Sequence, residues 1–255
     1  MLLTIDIGNT SIHAGIFKGK RVIRTMLIKT YADKPDILKA FKKSLGADKV
    51  KINGAVVSSV VPGVTVIINH IIKKLLNIKP IVLGEDIKVP IKNLYKKPKQ
   101  VGQDRLVNAY ACKELYGSPA VVLDFGTATT FDYINRSGEY EGGIITPGVG
   151  LTIDALAEKA ALLPKIKLDK PDRLIGKDTA GSIRSGVFFG LASMCDGLVL
   201  KIKKSYKNNP IVIATGGLAD LFCPYCKEIN KIDKYLTLKG LSIISLKLGI
   251  DLDYR

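Results

Sequence analysis

The chain has no tryptophan, two histidines, three methionines and four cysteines in 255 residues. Four thiols in so long a chain do not make the framework of a small disulfide-held secreted fold. A zinc site built on them runs short of imidazole, because His13 and His70 are the only histidines. Cys223-Pro224-Tyr225-Cys226 has the spacing of a dithiol redox site. Such sites follow an early strand, whereas this one lies late, beyond Ala214-Thr215-Gly216-Gly217, so structural or incidental thiols are expected. Long apolar runs are also missing. The longest uncharged stretch, Ile52–Ile72, is divided by Pro62-Gly63 and holds Asn53, Asn69 and His70, so no membrane span is expected. Asp6 interrupts the only short apolar run near the N-terminus, which argues against a signal peptide and for a cytoplasmic protein. Acidic residues are scarce, 23 against 39 Lys and Arg, for a net charge of +16. The Lys residues are spread over the chain with no helix-turn-helix, zinc-finger or aromatic RNA-binding signature. A solvated basic surface is expected rather than a nucleic-acid partner. Gly15–Arg21 is one residue short of a Walker loop and lacks its Ser/Thr, and no G-x-G-x-x-G follows a strand.

What is present centres on Val121–Tyr133, VVLDFGTATTFDY. Three apolar residues run into Asp124, a glycine permits a tight turn, and a Thr-rich strand leaves it. Successive N–H groups and hydroxyls in such a turn suit an anion, and a carboxylate beside a phosphate calls for a cation between them. An ordinary β-hairpin capped by Asp-x-Gly accounts for one copy equally well. A second copy changes the balance: Leu2–Ile5 runs into Asp6-Ile7-Gly8-Asn9-Thr10 and then Ser11–Phe17. Two such hairpins, one in each half, suggest a duplicated fold.

Hydrophobic periodicity predicts β-β-β-α-β-α-β for the first half: strands 2–7, 12–17 and 21–28, helix 33–45, strand 53–58, helix 63–76 and strand 80–83. A Lys- and Pro-rich connection, 84–103, leads into a helix opened by Val101-Gly102-Gln103-Asp104-Arg105. Asp104 serves there either as a cap or as a carboxylate held on a rigid element. The second half repeats the plan, with strands 119–124, 129–135 and 140–145, helices near 150–161 and 179–204, strand 211–214, a short helix and a final helix near 238–248. Gly216-Gly217, after a strand and before a helix, is a tight turn or a place where a base or sugar meets the backbone. The division expected is an N-terminal domain 1–103 and a C-terminal domain 104–255.

With Asp6-x-Gly-Asn-Thr, Gly102-x-Asp-Arg, Asp124-x-Gly-Thr-Ala-Thr-Thr and Gly142-Gly-x-Ile-x-Pro-Gly in this order, the chain resembles the type III pantothenate kinases. Thr179-Ala-Gly-Ser-Ile-Arg-Ser-Gly186 extends the likeness. The resemblance implies an α/β fold of two duplicated ribonuclease-H-like, actin-like ATPase domains with a nucleotide cleft between them. It implies ATP-dependent phosphorylation of pantothenate to 4′-phosphopantothenate, the first step of coenzyme A synthesis. By position, Asp6, Ile7, Gly8, Asn9, Thr10, Ser11, Ile12 and His13 would meet the ATP phosphates, with Asp6 indirectly at Mg²⁺ and His13 contributing only backbone. Thr127 would contact a phosphate, and Asp124 a monovalent cation, K⁺ or NH₄⁺. Tyr95, Gly102, Gln103, Asp104 and Arg105 would hold pantothenate, with Asp104 the general base. Thr179 would reach pantothenate across a homodimer interface. Two other readings stand beside this one: a regulator of transcription that keeps the fold without the activity, and an enzyme of the same fold acting on a sugar or short acid.

Overall fold

The structure, a computed structural model, describes residues 1–45 and 51–249. It divides into two compact units, Met1–Leu115 with Tyr235–Arg255, and Tyr116–Lys234. In the first unit, β1 (Leu2–Ile7), β2 (Ser11–Lys18) and β3 (Arg21–Lys29) form an antiparallel meander, and α1 (Lys34–Leu45) leads to β4 (Gly54–Ser59). Helix α2 (Pro62–Leu76) then returns the chain to β5 (Ile81–Val82). Pro62 sits where its missing N–H costs nothing, and Asn77 ends the helix in a left-handed conformation with its N–H on the Lys73 carbonyl. The strand order is β3-β2-β1-β4-β5, with β1 antiparallel to β2 and parallel to β4. Leu3, Ile5, Ile7, Val57, Ile68 and Ile72 belong to the core built on this sheet.

The second unit repeats the order. Strands β6 (Ala120–Phe125), β7 (Ala128–Ile134) and β8 (Tyr140–Pro147) are followed by α4 (Val149–Lys159), α5 (Thr179–Tyr206) and β9 (Ile211–Thr215). A short α6 (Ala219–Phe222) and a 3-10 turn (Cys223–Tyr225) precede β10 (Lys231–Ile232). The sheet runs β10-β9-β6-β7-β8, the first sheet's pattern again, and β10 is a strand that periodicity did not reveal. Helix α5 is long and apolar enough to cross a membrane by length and composition. Its Val187, Phe188, Leu191, Cys195 and Val199 are nevertheless buried in the core of this unit.

The expected boundary at 103/104 lies instead at 115/116, and the last helix, α7 (Leu236–Lys247), belongs to the first unit. Helix α3 (Gln103–Tyr116) explains both corrections. A methyl on Gly240 of α7 would stand 2.9 Å from the Val107 carbonyl and 3.0 Å from Ala111, so the two helices meet backbone to backbone. Thr237 Oγ1 donates to Asn108 Oδ1 at 2.7 Å, and Leu238, Leu241 and Ile244 of α7 are buried.

Candidate active site

Both hairpins exist, and they are built alike. Asp6 is the fifth of six residues in β1 and Asp124 the fifth of six in β6, each half-buried between buried neighbours. Burial on both faces accounts for this: apolar side chains fill both faces of a central strand until the chain reaches the sheet's end. Asp6 is in register with His13 on β2 and Ser58 on β4. Asp124 is in register with Thr130 on β7 and Thr215 on β9.

In the first unit the turn is closed by the Gly8 N–H on the Ser11 carbonyl (3.0 Å) and braced by Thr30, whose hydroxyl donates to the Gly8 carbonyl at 2.6 Å. Asn9 and Thr10 are exposed at its tip. Ser11 Oγ lies 3.0 Å from His13 Nε2. Burial holds the His13 imidazole below its ordinary 6.5, so it is largely neutral at pH 7. Ser58 Oγ is buried with no hydrogen-bond partner, in register with Asp6. Such an orphan beside a carboxylate suits a polar, oxygen-bearing ligand.

The start of α3 lies at this same end of the sheet. Val60 N–H donates to the Ile7 carbonyl at 3.0 Å, and its side chain stands 3.5 Å from the point a Cβ on Gly102 would take. That Cβ would also collide with the Asp104 carboxylate, so glycine leaves the acid its place. Asp104 Oδ1 accepts from the Arg105 N–H at 2.8 Å. Burial nevertheless pushes the Asp104 carboxyl above its ordinary value, against the pull of that N–H and of the Arg105 guanidinium. A carboxylate so placed is a stronger base than one in water. Gly84, at φ +87°, lets the Gln103 side chain pack on the connection. Tyr95 lies in that connection, half-buried, with its N–H on Asn93 Oδ1 at 3.0 Å.

In the second unit the Gly126 N–H donates to the Ala128 carbonyl (3.2 Å), and Thr127 is exposed at the tip. Two glycines press on this turn. Gly148 donates its N–H to the Thr127 carbonyl at 3.1 Å, and a Cβ there would stand 2.6 Å from the Gly126 carbonyl. Gly216, at φ +93°, would place one 2.6 Å from the Phe125 nitrogen and against the Asp124 carboxylate. Gly217 faces open space. Thr130 is fixed by its hydroxyl on Asp132 Oδ2 at 3.2 Å, and Asp132 is itself buried beneath Tyr140. Thr179 is elsewhere on this unit, exposed as the first residue of α5, whose N-cap Asp178 accepts from Gly181 N–H at 2.7 Å.

Sequence reading missed Ser58 and Thr215 as site residues, and although it singled out Gly216 and the motif ending in Gly148, it did not bring either against the Asp124 turn. A usable signal existed for the first pair, since a hydroxyl ends each otherwise apolar strand, Ala55-Val56-Val57-Ser58 and Ile211–Thr215. Ser58, Thr130 and Thr215, in register with the two aspartates, offer hydroxyl oxygens, which suit Mg²⁺ or an alkali cation better than a soft metal, while His13 stands beside Asp6 as a nitrogen donor. Among the described residues no group of three or more His, Cys, Asp or Glu side chains is arranged to hold a metal ion. Such a cation would therefore depend on phosphate and water oxygens for most of its shell.

A family model described as type III pantothenate kinase matches residues 2–201. The chain is 42% identical over 249 residues to the type III pantothenate kinase of Moorella thermoacetica, covering 96% of this chain and 98% of that one. To the same enzyme of Geotalea daltonii it is 40% identical, covering 96% and 97%. A crystal structure from Campylobacter jejuni, described as a Baf family transcriptional activator, has a TM-score of 0.61 at 20% identity and covers 97% of this chain and 99% of that one. The activator of 2-hydroxyisocaproyl-CoA dehydratase from Clostridium difficile, with bound ADPNP, gives 0.57 at 11% identity, covering 98% and 96%. These two likenesses concern the fold.

Proposed function

The chain belongs to the type III pantothenate kinase family, and on that premise we propose how its residues divide the work. It is a phosphotransferase that phosphorylates pantothenate with ATP in coenzyme A biosynthesis. The observation that carries the residue assignment is Asp104. It stands in the first turn of a buried helix, at the same end of the sheet as the Asp6 turn, with its basicity raised by burial.

Phosphoryl transfer needs alignment and charge neutralisation more than covalent help. Asp104 accepts a hydrogen bond from the primary hydroxyl of pantothenate and takes its proton as the O–P bond forms. Arg105 offers a planar fork of donors to the other substrate oxygens, and Gly102, Gln103 and Tyr95 complete that side. The turn from Asp6 to His13 presents N–H groups and hydroxyls to the ATP phosphates, and Thr127 contributes another hydroxyl. Mg²⁺ bound to ATP would supply charge neutralisation on the phosphate oxygens, with Asp6 the residue that would serve it, and Asp124 would hold K⁺ or NH₄⁺. Both units take the ribonuclease-H-like form, and the enzyme works in the cytoplasm.

The enzyme acts as a homodimer in which Thr179 serves the pantothenate site of a second copy. Supporting this, Leu174 and Ile175, in the loop before α5, are 64% and 70% exposed. They flank a hollow of about 460 Å³ that also takes in Gly186, Phe189 and Gly190 of the helix. Apolar surface of this kind is what an association face offers. An assay of pantothenate-dependent ADP release, with potassium supplied and then withheld, tests the whole reading; no pantothenate dependence would overturn it. Light scattering at twice the 27.7 kDa chain mass is expected for the dimer.

A further inference from the structure

The second unit buries a carboxylate that the chemistry proposed above does not use. Asp132, on β7, is fully buried. Its Oδ1 accepts from the Tyr140 hydroxyl at 2.8 Å and its Oδ2 from the Thr130 hydroxyl at 3.2 Å. A carboxylate is costly to bury unless donors meet it, and these two hydroxyls meet this one. Thr130 and Asp132 are two positions apart on one strand, so their side chains share a face of the sheet. Asp124, directly across from Thr130, and Val122, directly across from Asp132, belong to the same face.

A hydroxyl has one proton and two lone pairs. The Thr130 proton is committed along its own strand to Asp132, and among the described residues this is the only hydrogen bond the Thr130 side chain makes. What Thr130 offers beside Asp124 is therefore lone pairs. Lone pairs next to a carboxylate repel a phosphate oxygen and suit a hard cation. On the reading that Asp124 takes a monovalent cation, we propose that the Thr130 hydroxyl oxygen is a second donor to it and that Asp132 is the positioning residue that keeps this oxygen an acceptor. Without Asp132 the Thr130 hydroxyl can turn its proton onto the Asp124 carboxylate. That contact would occupy the oxygen a cation needs and point a positive hydrogen at its place.

The test follows the melting temperature of the full-length chain, with Mg²⁺ and a non-hydrolysable ATP analogue, as potassium chloride replaces lithium chloride at constant ionic strength. The native chain is expected to melt higher as potassium rises, and the midpoint of that rise is the readout. Thr130→Val should move the midpoint up about tenfold, while Thr130→Ser, which keeps the hydroxyl, should stay within about twofold of native. Asp132→Asn should match Thr130→Val, and so should the double variant, because the acid acts through the hydroxyl. Asp132→Ser takes its place if the asparagine variant does not fold. Tyr140→Phe should lower the melting temperature at every potassium concentration without moving the midpoint, which separates lost stability from lost placement. A native response that Thr130→Val leaves within about twofold would overturn the proposal while sparing the assignment of Asp124. Additive shifts in the double variant, or a midpoint moved as far by Tyr140→Phe, would overturn the role of Asp132. A native chain as indifferent to potassium as Asp124→Asn would remove the cation reading and this inference with it.

Discussion

The two units share a topology, and their central strands share a burial pattern residue for residue. Their turns differ in what surrounds them. The first has a neutral histidine and a partnerless serine hydroxyl in register with its aspartate, and a helix start carrying a second acid nearby. A methyl on its Gly8 would meet only the Ser11 carbonyl, at 3.3 Å. The second has threonines in both flanking positions, and its turn is walled by the backbones of Gly148 and Gly216. Duplication therefore reproduces the frame while each turn's surroundings set its chemistry. On the proposed assignment, the roomy turn would accompany the acceptor and its base, and the walled turn would make a small rigid oxygen site.

The largest expected effect tests that asymmetry directly. Asp104→Asn should lower kcat about 10²–10⁴-fold with KM for ATP little changed, as removal of a general base does. Steady-state kinetics on purified protein check it, and full activity would take Asp104 out of the reaction. Next in size are the two turn aspartates. Asp124→Asn should raise the potassium concentration for half-activation by about 10–100-fold, the span of one charge-assisted contact. Asp6→Asn should instead weaken response to Mg²⁺ and ATP; a potassium titration of each variant with the same outcome would erase the distinction.

Packing offers a smaller contrast. Gly216→Ala puts a Cβ into backbone at a left-handed φ and should cost about 1–3 kcal/mol, whereas Gly8→Ala should cost under ~1 kcal/mol. Urea denaturation of both variants reads the difference, and equal losses would mean the turns are equally confined. The smallest effect is a pH dependence of stability. Asp104 has a carboxyl raised by folding, so the native state binds more protons than the unfolded chain once pH exceeds the ordinary value of 3.8. Its contribution is favourable at low pH and is lost as pH rises through the native value. Asp104→Asn should thus melt slightly above the native enzyme at neutral pH, with the gap closing as pH falls toward 4; a constant gap would show that ionisation is not its origin.

Much of this was legible beforehand where neighbours in sequence are neighbours in space. Apolar runs ending in Asp-x-Gly identified both turns, and the helix from Gly102 identified Asp104. The reading failed where distant segments meet. Nothing near residue 240 reveals that Gly240 will touch Val107, so α7 was assigned to the second half. Nothing near Cys223-x-x-Cys226 points to helix α5, whose Ala192 carbonyl accepts from Cys226 Sγ at 3.9 Å. Gly216 reads as a turn or a place where a base or sugar meets the backbone and Gly148 as the end of a motif; only their approach to Asp124–Thr127 shows why a side chain is excluded.

From its own order of residues the chain determined the strands, the sharp acidic turns and the duplication, because alternation and turn chemistry act over a few positions. Tertiary structure alone decided which sheet the last helix covers and how far Asp104 is desolvated. Those outcomes depend on surfaces brought together across a hundred residues or more, where burial rather than local preference sets the free energy.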